Sequence, residues 1–184
     1  MTEKHRLSVQ RMAYIALSAV LITLCAWLTV PFTVPFTMQT FAVFAVLLLL
    51  GGLDGTLAIG LYLLLGLIGL PVFSGMRGGF GHLVGPTGGY IIGFLFTGLA
   101  HMLLAPVTKR VRAPARIAIC FGEHALCYLV GTVWFVAVCA GNGKRYGFFA
   151  ALGICVLPYV LPDLAKIALA ELVSARVGKL IRKK

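Results

Sequence analysis

Six long apolar stretches separated by short polar connections dominate this sequence. Most of them approach the roughly 20 residues that a helix needs to cross the hydrocarbon core of a bilayer. Of the 184 residues, 60% are hydrophobic and only 11% are charged, about half the charged fraction of a soluble domain. Too few polar groups are present to cover a water-facing surface. We therefore expect an integral membrane protein with no soluble catalytic domain attached.

The apolar stretches predict an all-α integral membrane protein. We expect six transmembrane helices in a compact bundle, with residues 1–184 forming a single membrane domain. The first apolar run is longer than the core of a signal peptide and lacks a nearby cleavage site of small residues, so we interpret it as a retained helix. The spans are predicted at about residues 12–30, 37–50, 53–70, 88–105, 117–140 and 148–173.

The basic residues predict the orientation of these helices. With both termini in the cytoplasm, twelve Lys and Arg residues lie in inner segments and three in outer segments, as the positive-inside rule requires. The net charge of +11 is therefore interpreted as a topology signal and not as a nucleic-acid surface. The five cysteines form no CxxC pair and lie in apolar stretches, so neither disulfides nor a metal site are expected.

Two of the predicted outer loops have unusual compositions. The first contains the tandem repeat VPFT-VPFT over residues 30–37, followed by Met-Gln-Thr. Its prolines predict an extended, stiff segment that could line or cap a pocket. The second, residues 71–89, is rich in glycine, which fits either close approach of a ligand to the backbone or a flexible loop. Composition alone leaves both readings of this second loop open.

Asp163 and Lys166 are the most conspicuous ionisable residues inside a predicted span. Their i, i+3 spacing places them on one helix face, where they can neutralise each other. A purely structural ion pair is the alternative, but such a pair stabilises a protein only weakly because desolvation offsets the attraction. Pro162 should bend this helix and free backbone groups nearby. We favour a functional role for the pair.

A second polar group comprises His101, Glu123 and His124, which lie at similar depth on two antiparallel predicted helices. We interpret them mainly as residues that hydrogen-bond to one another and hold the two helices together. Small residues at Ala13, Ala16 and Ala19 make the first helix the better candidate for an external packing face.

Together these motifs resemble the BioY family, the biotin-specific substrate-binding (S) subunits of energy-coupling factor (ECF) transporters. The resemblance covers about residues 12–175, and its most specific element is the run Gly-Pro-Thr-Gly-Gly-Tyr. The matching segments, in family order, are VPFTMQTF (34–41), YLLLGLIGLP continuing into Val-Phe (62–73), GGFG (78–81), GPTGGY (85–90) with Gly93-Phe94, and PDLAK (162–166).

The resemblance implies a six-helix protein of the bacterial cytoplasmic membrane that binds biotin from the outer side and is not an enzyme. It also implies association with a transmembrane coupling subunit and two ATPases, so that ATP acts only through partners and no cofactor is bound. The ligand residues of the family correspond to Asp163, Lys166, Thr37 and Gln39 here. The docking helix corresponds to the segment with Ala13, Ala16 and Ala19, although a clean AxxxA pattern is missing.

The functional groups of biotin match these ligand residues. Biotin carries ureido N–H donors, a carbonyl acceptor and an apolar chain that ends in a carboxylate, so its site needs a few well-placed polar groups in an apolar cavity. Asp163 would accept from a ureido N–H, and Lys166 or Arg77 would attract the carboxylate. The remaining expected contacts are aromatic walls and a loop glycine, namely Phe36, Tyr90, Tyr159 and Gly81.

Two other functions compete with this interpretation. In a self-sufficient secondary transporter for biotin or a similar vitamin, Asp163 and Lys166 would exchange a proton during transport. In an intramembrane enzyme, His101, Glu123 and His124 would act as acid, base or metal ligands. The enzyme is the weaker alternative, because no metal-ligand spacing such as HExxH occurs in the chain.

Overall fold

The computed structural model describes residues 8–181, and this part of the chain is built from α-helices joined by short connections. The basic residues at 1–7 and 182–184, which contribute to the expected orientation, lie outside the described residues. A two-stranded hairpin follows the first helix. The elements in chain order are α1 (Val9–Trp27), β1 (Thr29–Val30), β2 (Phe36–Thr37), α2 (Gln39–Leu50), α3 (Gly52–Leu67), α4 (Phe80–Leu83), α5 (Gly88–Thr108), α6 (Ala113–Gly141), α7 (Phe148–Cys155) and α8 (Leu157–Ile181).

Each predicted span is mainly helical, but Thr29–Val30 in the first and Thr37 in the second belong to the β-hairpin, and α3 ends before the third does. Within the described residues, α1, α5 and α6 are long and apolar enough to cross a membrane, and α7 with α8 forms a fourth, broken candidate. The helices α2 and α3 are apolar but shorter. The structure therefore establishes an all-helical fold with three or four candidate spans.

The sixth predicted span is not one continuous helix, and in this respect the expectation was wrong. The chain bends by 47° between α7 and α8, at Val156, whose φ of −123° departs from helical geometry. Pro158 lies at the second position of α8, where a missing backbone donor is tolerated. Pro162, which was expected to bend the segment, lies inside α8 itself.

The proline repeat forms a β-hairpin, so the expected extended segment is found only at its two ends and residues 31–35 turn the chain back. Thr29 pairs with Thr37 and Val30 with Phe36 in the antiparallel hairpin of β1 and β2. The backbone N–H of Met38 then donates to the carbonyls of Cys25 and Leu28. The hairpin is thereby tied to the end of α1, and its turn, residues 31–35, projects beside the start of α2.

Close helix packing places α5 against α6. A Cβ at Gly93 would lie 2.9 Å from the Cα of Cys127, and one at Gly89 would lie 2.2 Å from the Cβ of Trp134. Gly93 and Gly89 therefore allow α5 and α6 to approach closely within the chain. The helix α2 lies in the interior of the bundle, where its residues from Ala42 to Leu47 are all buried.

The glycine-rich loop has a defined fold. Gly75 and Gly79 adopt left-handed φ angles of 69° and 91°, which glycine tolerates without a steric penalty. The backbone N–H of Phe73 donates to the carbonyl of Arg77, and the indole of Trp27 donates to the carbonyl of Pro71 at 2.8 Å. The loop therefore packs over the ends of α1 and α3.

A candidate ligand cavity

Asp163 on α8 is the centre of a buried cluster of polar side chains. Its Oδ1 accepts from Lys166 Nζ at 2.8 Å, and its Oδ2 accepts from the hydroxyl of Tyr128 at 2.7 Å. His124 Nε2 lies 3.3 Å from the same Oδ2. Because the carboxylate and the ammonium are 5% and 6% exposed, their mutual neutralisation limits the cost of removing both from water.

His124 and Tyr128 reach this carboxylate because they lie four residues apart on one face of α6. The His124 ring stacks on Phe94, with centroids 6.1 Å apart, and contacts the edge of Phe44 at 5.8 Å. Aromatic rings therefore enclose the polar cluster and hold the imidazole in place.

Lys166 also contacts the hairpin. Its Nζ lies 3.8 Å from the centroid of the Phe36 ring, a cation–π distance. Phe36 in turn stacks on Tyr159 at 6.4 Å, and the Tyr159 hydroxyl donates to the carbonyl of Val34. These contacts join α8 to the turn of the proline hairpin directly beside the charged pair.

Thr37 and Gln39 form a connected polar pair at the start of α2. The Thr37 hydroxyl donates to Gln39 Oε1 at 3.3 Å, and its oxygen accepts from the backbone N–H of Gln39 at 3.2 Å. Gln39 Nε2 donates to the Tyr62 hydroxyl at 2.8 Å. The orientation of the Gln39 amide is therefore set by α3 before any ligand binds.

A cavity of about 70 Å³ lies among these groups. The structure brings six of the predicted ligand residues to its wall, and a seventh, Phe36, contacts Lys166 beside it. The lining residues are Val34, Pro35, Thr37, Gln39, Thr40, Ser74, Thr87, Tyr90, Ile91, Phe94, His124, Cys127, Tyr128, Cys155, Tyr159, Asp163 and Lys166.

Two predicted ligand residues do not reach this cavity. Arg77 lines a separate cavity of about 360 Å³ in the loops, together with His82. Burial and the nearby Arg77 guanidinium lower the pKa of His82. Gly81 lies in α4 and lines neither cavity, so the structure does not support it as a contact. The two cavities share the wall residues Pro35, Ser74 and Thr87.

The polar group predicted from His101, Glu123 and His124 is divided in the structure. His101 Nδ1 and Glu123 Oε2 are 2.8 Å apart, which confirms their expected hydrogen bond between α5 and α6. His124 instead turns to Asp163, because consecutive residues on a helix point about 100° apart. Within residues 8–181, only His101, Cys120 and Glu123 place three metal-ligating atoms close together, and all three lie outside this cavity.

Sequence reasoning missed Tyr128, Phe94, Ser74 and Thr87 as cavity residues. Tyr128 had a usable signal, since it follows His124 by one helical turn. Phe94 lies on α5, Thr87 directly precedes that helix and Ser74 lies between α3 and α4, and no spacing relates these three to Asp163. On α1, Ala13 and Ala16 are exposed, whereas Ala19 is 1% exposed; Ala19 therefore cannot line the same outer face.

Comparisons with known proteins agree with this geometry. The BioY family model matches residues 1–183. The biotin transporter BioY of Thermotoga maritima is 38% identical over 161 residues, which cover 87% of this chain and 90% of the relative. Biotin transporter BioY2 of Lactococcus lactis is 35% identical over 164 residues, with coverage of 87% and 90%. A crystal structure of the S-component for biotin from an ECF-type ABC transporter matches with a TM-score of 0.82 and 26% identity, covering 97% of this chain and 95% of the other.

Proposed function

Because the chain belongs to the BioY family, we propose that it is a membrane subunit that binds biotin and mediates its uptake, energised by partner subunits. The observation that carries this proposal is the buried Asp163 carboxylate at the wall of the cavity. A carboxylate offers about four lone-pair sites, and three of its hydrogen-bond partners are accounted for by Lys166, Tyr128 and His124. A ureido N–H of biotin would take the remaining site.

Lys166 supplies the complementary charge. An ammonium has three N–H donors, and one of them points to Asp163. A second donor is available for the ureido carbonyl or for the carboxylate at the end of the biotin chain. Arg77 lines the loop cavity of about 360 Å³, called the outer cavity below, so it would attract the carboxylate only after this cavity joins the one around Asp163.

Biotin entry requires the cavity to enlarge. Its volume of about 70 Å³ is below the roughly 300 Å³ at which small-molecule sites begin. The outer cavity of about 360 Å³ lies across the shared wall of Pro35, Ser74 and Thr87. Displacement of Pro35 with the hairpin turn would join the two spaces, with the ring system near Asp163 and the chain directed toward Arg77.

The membrane arrangement belongs to the same proposal. Six spans in a single membrane domain, with both termini in the cytoplasm of a bacterium, would place the proline hairpin and the glycine-rich loop outside. The partners would be a transmembrane coupling subunit and two ATPases. Ala13 and Ala16 are the exposed small residues of α1 and would form part of the docking face.

Equilibrium binding of labelled biotin to the purified chain in detergent tests the assignment. We expect saturable binding, competition by dethiobiotin and weaker competition by a biotin amide if a cation contacts the carboxylate. Lys166→Met should abolish binding, and Lys109→Met, which removes an exposed ammonium at the end of α5, is the matched control. Absence of biotin binding by the wild-type chain would contradict the proposal.

Uptake separates this function from a self-sufficient transporter. Cells that lack their own biotin uptake would produce the chain with or without a coupling subunit and ATPases. Accumulation that requires the partners supports the proposal. Accumulation by the chain alone that an uncoupler abolishes would favour a secondary transporter with Asp163 and Lys166 as proton carriers.

A further inference from the structure

We propose that His101, Cys120 and Glu123 form a binding site for a divalent transition metal ion, with Zn²⁺ as the best match, at the interface between α5 and α6. The ligand-capable atoms of these three side chains all lie within 4.8 Å of one another. Cys120 and Glu123 are three residues apart on α6, so they share one face. His101 faces them from α5 through the 2.8 Å contact with Glu123.

The donor set is the kind that Zn²⁺ selects. Imidazole nitrogen, thiolate sulfur and carboxylate oxygen are its protein ligands, at distances of about 2.0 to 2.3 Å. Tetrahedral coordination at those lengths separates the ligand atoms by about 3.3 to 3.6 Å. His101 Nδ1 and Glu123 Oε2 are 2.8 Å apart, and all three ligand atoms lie within 4.8 Å of one another, so small side-chain movements would satisfy the geometry.

Glu123 provides an independent reason to place a ligand here. Its side chain is fully buried, and within residues 8–181 its Oε1 has no hydrogen-bond partner. An unpaired carboxylate oxygen in the interior is costly, because the lost hydration is not replaced. The hydrogen bond with His101 satisfies only Oε2, whereas a metal ion would satisfy the carboxylate as a whole.

Charge balance is compatible with occupation. His101, Cys120 and Glu123 are 3%, 1% and 2% exposed, so a net charge among them would be poorly solvated. The net charge of a divalent cation with one thiolate, one carboxylate and a neutral imidazole is zero. On binding, the Cys120 thiol releases its proton to solvent, and so does the His101 ring if it is protonated.

A cavity beside His101 offers a route to the three metal ligands. His101 lines a cavity of about 530 Å³ bounded by the turn between α2 and α3, the end of α5 and Arg116. Of the three ligands only His101 lines this cavity, so an ion would enter past the imidazole, and a water molecule that follows it would supply the fourth ligand. None of the three ligands lines the cavity around Asp163, so the metal ion would not occupy the space proposed for biotin. Its expected effect is to fasten α5 to α6.

Cobalt substitution tests the site directly. Co²⁺ is added to chelator-treated full-length chain in detergent, and absorption spectra are recorded. We expect saturation at about one equivalent, intense visible bands of tetrahedral coordination, a near-ultraviolet thiolate charge-transfer band, and displacement of all these bands by Zn²⁺. A spectrum of octahedral, water-ligated Co²⁺ for the wild-type chain overturns the proposal.

Variants identify the ligands. Cys120→Ser should lose the thiolate band, and His101→Ala should lose the visible bands. Cys139→Ser, which alters another buried cysteine of α6, should keep both. A thiolate band that persists in Cys120→Ser overturns the assignment. Zn²⁺ should also raise the unfolding temperature of the wild type and of Cys139→Ser but not that of Cys120→Ser; an equal rise in all three would contradict the site.

Discussion

The Asp163–Lys166 pair permits a test that separates folding from ligand binding. Asp163→Ala leaves the Lys166 ammonium buried without its partner, and Lys166→Met leaves the carboxylate with only Tyr128 and His124. Each partner is at most 7% exposed in its side chain, so solvent screening is small. Removing one partner of a buried ion pair costs about 3–5 kcal/mol, and we expect each single variant to lose stability by that amount.

The double variant removes both charges of the buried pair. In Asp163→Ala with Lys166→Met no buried charge is left unpaired, and apolar replacement of an entire buried pair is often close to neutral. We therefore expect most of the lost stability to return in the double variant. Biotin binding should stay absent, because neither the ureido acceptor nor the cation is present.

Two measurements on detergent-solubilised protein decide the outcome. Denaturant unfolding of the wild type, both single variants and the double variant gives the coupling free energy, and labelled biotin gives the affinity. A loss of 4 kcal/mol corresponds to about a thousandfold change in an equilibrium constant. The reasoning is refuted if the single variants are as stable as the wild type, or if the double variant binds biotin with wild-type affinity.

Three further changes have defined outcomes. Tyr128→Phe removes a hydrogen bond to a charged carboxylate, which contributes about 1.5–3 kcal/mol. The affinity for biotin should therefore fall at least tenfold. An unchanged Kd would exclude Tyr128 from the site. Gly93→Ala places a Cβ against the backbone of Cys127 and should lower the free energy of unfolding by about 1–3 kcal/mol through overpacking. Gly122→Ala meets open space and should be nearly neutral. Equal unfolding temperatures for the two variants would contradict the close packing of α5 on α6. Burial and the nearby Arg77 lower the pKa of His82 from 6.5, so below about pH 6.5 the unfolded chain binds more protons than the folded chain and the stability should fall as the pH drops from 7 toward 5. His82→Phe should flatten this pH dependence. An identical pH profile for the variant would show that another group is responsible.

The covalent sequence alone was sufficient to predict the class of protein and the approximate location of its long helices, but not α4 or the break between α7 and α8. Apolar stretches of that length with so little charge leave no folded alternative outside a membrane. The i, i+3 spacing of Asp163 and Lys166 was also sufficient to predict their pairing, since residues at that spacing meet on any α-helix. These conclusions depend only on local geometry and on the solvent that surrounds the chain.

Tertiary structure alone decided which helix faces meet. Glu123 and His124 are neighbours in sequence, yet one contacts His101 and the other Asp163, because the rotation of α6 is set by its packing on α5 and α8. The packing of α1 on α2 and α3 buries Ala19, and the fold of the glycine-rich loop keeps Arg77 in the outer cavity. No spacing along the chain encodes these choices, since the rotation and contacts of a helix follow from how the side chains of several helices fill space together.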